Sequence, residues 1–222
     1  MPKIESSAAP ATASSRTRDV WTFLRTPFDG IHPVVLIVFG VSTVFSFFFF
    51  AQPDLWHTVT SSYGYYHGHI GDFYDYGAAT IGTPAYLPSI YWIFAIWMAP
   101  IALIGAVNPR VDNSIVLGPI EHFWARLLLL LVFAATFYLI SAIAKHAFPA
   151  SESAQRIVRT GYLLSPLAGF AVFTFGQYDI IGVFFTLLGV LMYFRRNSFW
   201  FVFWFSIAIT FKYFAAFVFV PL

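Results

Sequence analysis

Long apolar runs alternate with short polar stretches along most of this chain. The apolar runs lie at 33–51, 86–104, 122–145, 157–175, 180–194 and 199–222. A helix needs about 20 apolar residues to cross a hydrocarbon core about 30 Å thick, and most of these runs approach or exceed that length. A membrane β-barrel would show alternating segments of about 10 residues, a pattern that is absent from this sequence. The pattern therefore predicts an all-α polytopic membrane protein.

The composition agrees with this class and narrows the chemistry. Of the 222 residues, 59% are hydrophobic and 10% are charged, whereas an ordinary soluble domain has about 25% charged residues. The chain has no cysteine, which excludes a disulfide framework, a thiolate metal site and a cysteine nucleophile. A net charge of +2 is too small to indicate a nucleic-acid partner. The lipid bilayer is thus the partner that the composition predicts.

The N-terminal residues predict both a tail and an orientation. Residues 1–15 are rich in Ser, Ala, Pro and Thr and lack the apolar core of a signal peptide, so we expect 1–30 to form a disordered tail. Arg16, Arg18 and Arg25 precede the first apolar run and place the N-terminus in the cytoplasm by the positive-inside rule. The remaining residues, 31–222, form the transmembrane helical domain, in which 52–120 is an outer loop.

The run at 86–104 allows two topologies. If it spans, the later cationic residues fall outside the cell and the charge bias is inverted. Those residues are Lys145, Arg156, Arg159, Arg195 and Arg196. If 86–104 re-enters from the outer side or lies along the interface, these residues become cytoplasmic, and only Arg110 and Arg126 stay outside. We therefore favour about five transmembrane helices plus one re-entrant or interfacial hydrophobic helix over the alternative of six spans.

A polar island at 67–76 interrupts the apolar pattern. It holds two imidazoles and two carboxylates, among them Asp72 and Asp75, which would share a face on a helical turn. Ionisable groups near a membrane are costly and commonly functional. A partly desolvated carboxylate beside a like charge would have a raised pKa, which suits a general base. The alternative is two solvated loop aspartates.

The histidines of the island raise the question of a metal. His67 and His69 together with Asp72 could coordinate one in principle, but this set in a flexible loop is a weak signal for a metal site. We expect no metal and no other cofactor.

Two further polar positions stand among the later apolar runs. Gln177 and Asp179 follow the run at 157–175, and such groups at a helix end usually face a cavity rather than lipid. Lys212 lies within the last apolar run. It could snorkel to the interface, bind an anionic lipid headgroup or pair with Asp179.

The order of these motifs resembles a known family. The motifs are Asp72-Phe73-Tyr74-Asp75-Tyr76, Tyr86-Leu87-Pro88, Arg126 at the start of a span, Ser165-Pro166 followed by Gly176-Gln177-Tyr178-Asp179, and Lys212-Tyr213 before Pro221. Over 34–222 the chain resembles the N-terminal half of the GT-C-fold glycosyltransferases that use polyprenyl-phosphate sugars. The resemblance is closest to the first-mannose GPI mannosyltransferases and to bacterial polyprenol-phosphate-mannose-dependent mannosyltransferases. Asp75 does not stand at the family's Asp-x-Asp spacing, so the identity of the base stays open between Asp72 and Asp75.

The resemblance implies a membrane glycosyltransferase in a bacterial plasma membrane rather than in the endoplasmic reticulum. It implies transfer of a hexose, with mannose favoured, from a polyprenyl-phosphate-linked donor to a hydroxyl of a glycan or glycolipid acceptor on the outer face. Asp72 would be the general base and Asp75 its support. The implied substrate-binding residues are Gln177, Asp179, Arg126, Lys212, Tyr86 and His69, with Arg126 and Lys212 near the donor phosphate. Family members continue for several more spans, so we expect this chain to be an N-terminal portion.

Two other functions stay open at this point. One is a non-enzymatic polytopic membrane protein, such as a transporter or flippase subunit, that uses Asp72, Asp179 and Lys212 as an ion or substrate path. The sequence shows no inverted repeat and no matching pair of broken helices, which disfavours a transporter. The other possibility is an inactive fragment.

Overall fold

The structure, a computed structural model, describes residues 22, 24–50, 53–107 and 117–219. These residues form helices and no strands. The α-helices are α1 Pro33–Phe49, α2 Pro53–Ser62, α3 Phe73–Thr80, α4 Pro88–Leu103, α5 Pro119–Ala147, α6 Glu152–Leu163, α7 Pro166–Gly169, α8 Asp179–Phe194, α9 Ser198–Phe211 and α10 Phe214–Phe219. Most of the tail expected at 1–30 lies outside the described residues, as do Arg16, Arg18, Arg110 and Pro221.

Two helical segments are long and apolar enough to cross a membrane. They are α5 and the segment Glu152–Thr174, which contains α6 and α7. A third would be α1 together with Pro53–His67, two pieces that are bent by 68° relative to each other. The helices α4, α8 and α9 are apolar but shorter, with 16, 16 and 14 residues. This helical content agrees with the predicted class of an all-α membrane protein.

The segment Glu152–Thr174 is broken where the sequence predicts a break. Proline lacks a backbone N–H and cannot continue an α-helix. The chain accordingly leaves α6 after Leu163, and the Ser165 hydroxyl accepts a hydrogen bond from the Ala168 N–H at 3.2 Å to start α7. A π-helical turn, Phe170–Thr174, completes the segment.

The last apolar run differs from its prediction. One span over 199–222 is expected from hydropathy, but α9 ends at Phe211 and α10 starts at Phe214. Between them Lys212 has an extended backbone, with φ −158° and ψ 130°. The prediction of one continuous helix is therefore wrong over the described part of this run. Lys212 lies at a break between two helices, where its cation is held by a partner on α8.

Arg126 in α5 forms hydrogen bonds to the ends of two other helical segments. Its guanidinium donates hydrogen bonds to the carbonyl oxygens of Ser46 at 2.8 Å, of Phe47, and of Phe173 at 2.7 Å. Ser46 and Phe47 lie in the last turn of α1, and Phe173 lies near the end of the segment Glu152–Thr174. We call this end of the bundle the acidic end, since it carries five of the seven described Asp and Glu residues. They are Asp54, Asp72, Asp75, Glu121 and Asp179.

The opposite end of the bundle is basic. Arg159 in α6 donates to the Pro27 carbonyl at 2.9 Å, and Tyr138 in α5 donates to the Leu24 carbonyl at 2.9 Å. The rings of His146 and Phe194 stack with centroids 6.3 Å apart. This end, the basic end, carries six of the eight described Lys and Arg residues. They are Arg25, Lys145, Arg156, Arg159, Arg195 and Arg196.

The segment between α1 and α5 begins and ends at the acidic end of the bundle. It starts after the last turn of α1 and finishes at the first turn of α5, and Arg126, in the second turn of α5, donates to carbonyls in the last turn of α1. Within it, α4 packs against α2, α5 and α9. The indoles of Trp97 in α4 and Trp124 in α5 stack 5.2 Å apart, and each Nε1 donates to the other residue's carbonyl at 2.7 Å. Both flanks of the 86–104 run therefore lie at the acidic end.

The helices α8 and α9 form a close hairpin. Gly189 in α8 leaves room for the ring of Phe205 in α9, because a Cβ at residue 189 would overlap that ring. This close packing keeps the two helices antiparallel along their length. It brings the end of α9 next to the first turn of α8, which is where Lys212 and Asp179 lie.

Candidate functional site

Four separate segments meet at the acidic end and bring five polar residues together. The segments are the first turn of α2, the loop before α4, the first turn of α8 and the end of α9. They contribute Asp54, Tyr86, Tyr178, Asp179 and Lys212. We call this group the Asp54 cluster. Up to 158 residues of sequence separate its members, so only the fold assembles it.

The Asp54 carboxylate accepts from two phenols. The Tyr86 hydroxyl lies 3.1 Å and the Tyr178 hydroxyl 3.4 Å from Asp54 Oδ2. The Thr58 hydroxyl lies 3.0 Å from both the Tyr178 oxygen and the Asp54 main-chain carbonyl. Tyr178 is only 1% exposed, and its ring lies edge-on to the Tyr86 ring with centroids 4.9 Å apart. Asp54 thus fixes both tyrosines through one carboxylate.

A paired cation forms the other half of the cluster. Lys212 Nζ forms an ion pair with Asp179 Oδ2, as the sequence suggested among its alternatives. The side chains are 33% and 36% exposed, respectively, so both can be reached from outside the protein. Lys212 Nζ also lies 5.9 Å from the centroid of the Tyr86 ring, a distance suited to a cation–π interaction. Tyr86 therefore connects the ion pair to Asp54.

Asp72 and His69 form a second, more exposed pair. His69 Nδ1 and Asp72 Oδ2 are 2.9 Å apart, and the imidazole stacks on the Tyr76 ring with centroids 3.6 Å apart. Asp72 is 59% exposed and precedes the first turn of α3. The hydrogen bond from His69 holds the pKa of the Asp72 carboxyl below its usual value. The expectation of a raised pKa is therefore wrong for Asp72, because the carboxylate is solvated and hydrogen-bonded.

The exposed pair reaches the Asp54 cluster through one neighbouring residue. The Tyr74 hydroxyl donates to the Tyr86 carbonyl at 2.6 Å, and Tyr74 lies two residues after Asp72. Asp75 is exposed in the first turn of α3. No described contact joins Asp72 or Asp75 directly to the Asp54 cluster within the part of the chain that the structure covers. The structure thus brings Tyr86, Asp179 and Lys212 together and leaves the two island aspartates at the margin.

Gln177 lies beside the cluster with an available amide. Its backbone N–H donates to the Ala171 carbonyl at 2.8 Å, which fixes the turn into α8. The residue is half-buried, and its side-chain amide has no hydrogen bond to another described residue. An amide in this condition can donate to and accept from a ligand hydroxyl.

Arg126 is placed differently from its expected position near a donor phosphate. It is 3% exposed, and its guanidinium is directed at main-chain carbonyls. Among the described residues, no contact joins it to Lys212. Arg126 therefore holds helix ends together, and Lys212 is the cation of the site.

A groove of about 380 Å³ runs between α1 and the broken segment Glu152–Thr174. Apolar side chains line most of it, including Val38 and Phe170, and five hydroxyls interrupt this lining. The hydroxyls belong to Ser42, Thr43, Ser46 and Thr174, with Ser165 at the helix break. The Thr174 hydroxyl donates to the Ser46 hydroxyl at 3.3 Å. The groove therefore extends from the interior of the bundle to the level of Arg126.

Asp54 is the residue that sequence reasoning missed. Its partners Tyr86 and Tyr178 are 32 and 124 residues away, and no periodicity reveals such contacts. One local signal was available, since Pro53-Asp54 directly follows the first apolar run and starts a helix. A carboxylate at that point lies at a helix N-terminus, where the helix dipole favours a negative charge.

Comparison with known proteins identifies no relative of this chain. No family model, no curated protein and no solved structure matches the chain. Within the described ranges, no group of three or more His, Asp or Glu side chains could hold a metal ion.

Proposed function

We propose that the protein is a membrane glycosyltransferase that moves a hexose, with mannose favoured, from a polyprenyl-phosphate donor to an acceptor hydroxyl. The observation that carries the proposal is the contact among Tyr86, Asp179 and Lys212. These residues belong to three separate motifs that the sequence resemblance assigns to substrate binding. The three residues lie together, the Lys212 cation is accessible, and the Tyr178 phenol lies next to Tyr86. This arrangement supports one binding site for a sugar and a phosphate.

The proposed orientation places the acidic end outside the cell. The basic end holds six described cations and faces the cytoplasm by the positive-inside rule. In this orientation α1, α5, the segment Glu152–Thr174, α8 and α9 cross the membrane, and α4 lies at or re-enters the outer interface. The contacts of Trp97 with Trp124 support this position for α4, because Trp124 lies near the first turn of α5.

In the proposed reaction the acceptor oxygen attacks the anomeric carbon of the donor sugar. The bond from that carbon to the phosphate oxygen breaks, and its electron pair stays on the departing polyprenyl phosphate. Lys212 stabilises the charge that grows on this phosphate. Asp179 orients Lys212, and together with Gln177 it binds sugar hydroxyls and fixes the distance of attack.

Asp72 accepts the proton of the acceptor hydroxyl in this proposal. Its Oδ2 is bound by His69, and its Oδ1 has no hydrogen bond to another described residue, so one oxygen is free for the acceptor. A carboxylate with a lowered pKa is ionised at neutral pH, which a base requires. Asp75 positions the acceptor. Asp54 is a positioning residue, because its carboxylate is engaged by Tyr86 and Tyr178.

The groove between α1 and the segment Glu152–Thr174 accommodates the donor's isoprenoid chain in this proposal. Its apolar lining suits a hydrocarbon, and it opens at the level of Ser46 near the acidic end. A lipid held there would have its phosphate at the membrane surface.

The test uses liposomes that contain the full chain, a polyprenyl-phosphate-linked mannose and a soluble acceptor sugar. We expect a glycosylated product, its loss in Asp72→Asn, and partial retention in Asp54→Asn, with equal amounts of inserted protein. A photoreactive polyprenyl-phosphate analogue should crosslink to the wild type and to both variants. Full transfer by Asp72→Asn would remove Asp72 as the base. Movement of the sugar lipid across the liposome without any transfer would instead support a transporter.

A further inference from the structure

The basic end contains a pocket that the proposed reaction does not use. It has a volume of about 570 Å³ and lies at the turn between α8 and α9. Its lining residues are Tyr193, Phe194, Arg196, Asn197, Ser198 and Phe201. The pocket is thus at the opposite end of the bundle from the Asp54 cluster.

The polar groups in this pocket are mainly donors. Arg196 supplies a guanidinium, and Tyr193 and Ser198 supply hydroxyls. The Asn197 Oδ1 accepts from the Trp200 N–H at 3.3 Å, so its NH₂ group remains to donate. No carboxylate of a described residue lines the pocket. Such a set fits an acceptor-rich anion, above all a phosphate.

Aromatic rings form the rest of the wall. The ring centroids of Tyr193 and Phe201 are 5.7 Å apart. Phe194 and Phe201 form the apolar side of the pocket. A phosphate site next to an apolar surface at the end of a membrane helix matches the two parts of a phospholipid, which are a charged headgroup and an acyl chain.

The backbone of Arg196 gives an independent reason to look for a ligand. The Asn197 N–H donates to the Met192 carbonyl at 3.0 Å, and the Arg196 N–H donates to the Tyr193 carbonyl at 2.9 Å. These bonds form a helix-ending turn in which the residue at 196 adopts φ +54°. Glycine is favoured at this position because a Cβ is unfavourable in the left-handed region. An arginine here is a cost to the fold, which a role for its side chain would explain.

The Arg196 cation has no ion-pair partner among the described residues. Its guanidinium has no ion pair or hydrogen bond to another described residue. The described acids nearest this end of the bundle are Asp29 and Glu152, and neither lines the pocket. Arg195 and Lys145 add positive charge close by. Within the part of the chain that the structure describes, the pocket is therefore a positively charged site without a counter-ion.

We propose that this pocket binds the headgroup phosphate of an anionic phospholipid of the cytoplasmic leaflet. Arg196 binds the phosphate oxygens, Ser198 and the Asn197 amide add hydrogen bonds, and an acyl chain lies along Phe194 and Phe201. The site is separate from the proposed transfer reaction and depends only on the orientation of the basic end toward the cytoplasm. Binding there stabilises the α8–α9 hairpin, whose other end presents Asp179 and Lys212.

The experiment measures thermal unfolding of the full chain in dodecyl maltoside with added phosphatidylglycerol or phosphatidylcholine. We expect phosphatidylglycerol to raise the unfolding midpoint by several degrees and phosphatidylcholine to raise it much less. Arg196→Gln should lose most of the difference between the two lipids. Arg196→Gly should lose it too, while its midpoint without lipid is equal to or above that of the wild type, since glycine relieves the backbone. Arg156→Gln, a matched control outside the pocket, should keep it.

Three results would overturn the proposal. Equal stabilisation by the two lipids would show that the headgroup charge is not recognised. An equal loss in Arg156→Gln and Arg196→Gln would show a general attraction of the basic end in place of a site. If glycerol 3-phosphate at the same concentration matched phosphatidylglycerol, the ligand would be a soluble phosphate compound and not a membrane lipid.

Discussion

Lys212 and Asp179 form an ion pair that joins the break after α9 to the first turn of α8. Both side chains are about one-third exposed, and an ion pair so exposed contributes about 1 kcal/mol or less to stability. We therefore expect Lys212→Met to leave the unfolding midpoint nearly unchanged. It should lower the rate of transfer by about 10²-fold or more, since loss of one group that stabilises transition-state charge has that effect.

The control for this prediction is Lys212→Arg, which keeps the cation near Asp179 and should retain much more activity. Both variants are measured by initial rates of sugar transfer and by thermal unfolding in detergent. A purely structural ion pair would give the reverse result, a lowered midpoint with the rate per folded molecule unchanged.

The contact between His69 and Asp72 predicts a shift in the pH dependence of transfer. The His69 hydrogen bond lowers the pKa of Asp72, so the carboxylate stays ionised as the pH falls through the usual aspartate range. Removal of this bond in His69→Ala should raise the pKa of Asp72 and move the acidic limb of kcat/KM to higher pH. His69→Asn, which retains an N–H donor, should show a smaller movement. If the acidic limb were identical in the wild type and both variants, His69 would not influence the pKa of the catalytic base.

Arg126 is expected to matter for stability more than for chemistry. Arg126→Met removes hydrogen bonds to three carbonyl oxygens, of which only that of Ser46 keeps another donor among the described residues, the Phe50 N–H. Hydrogen bonds to a charged group contribute about 1.5–3 kcal/mol each, so we expect a loss of at least about 3 kcal/mol. Arg156→Met, at an exposed position of the basic end, should change the stability by about 0.5 kcal/mol or less. A stable Arg126→Met protein that fails only in donor binding would restore the phosphate role.

The groove beside α1 offers a test of the donor's lipid chain. Gly169 lines the groove, and a Cβ at this residue would meet no atom within 4 Å. Gly169→Trp should place an indole in the groove and raise KM for a long-chain donor more than for a short-chain one. Gly40→Trp is the matched control, because Gly40 is equally unobstructed but lies on another surface of α1. Equal effects of the two variants, or no dependence on chain length, would count against the groove.

Much of the helical architecture could be predicted from the sequence, because hydropathy and charge act locally. The proline at 166 predicts the break before α7, and the cations after α5 and α8 gather at the basic end as the positive-inside rule requires. The pairing of Asp179 with Lys212 was among the sequence alternatives. It could be named because two opposite charges in apolar surroundings need a partner.

The parts that could not be predicted depend on contacts between distant segments. Hydropathy alone does not distinguish a continuous span over 199–222 from two helices that meet at Lys212, since the apolar run is the same in both cases. The resemblance implied a place near the donor phosphate for Arg126, whereas its acceptors in the structure are backbone carbonyls, which carry no sequence signal. The role of Asp54 could not be predicted, because it arises only when Tyr86 and Tyr178 are folded against this carboxylate.

The paired indoles of Trp97 and Trp124 give the protein a built-in optical reporter. Two stacked indole chromophores 5.2 Å apart couple electronically and produce a paired positive and negative band in circular dichroism. Because one indole belongs to α4 and the other to α5, this contribution is lost when α4 undocks, whereas that of the stacked Trp200 and Trp204 within α9 remains. Release or reorientation of α4 would thus change the circular dichroism of the purified, unlabelled protein.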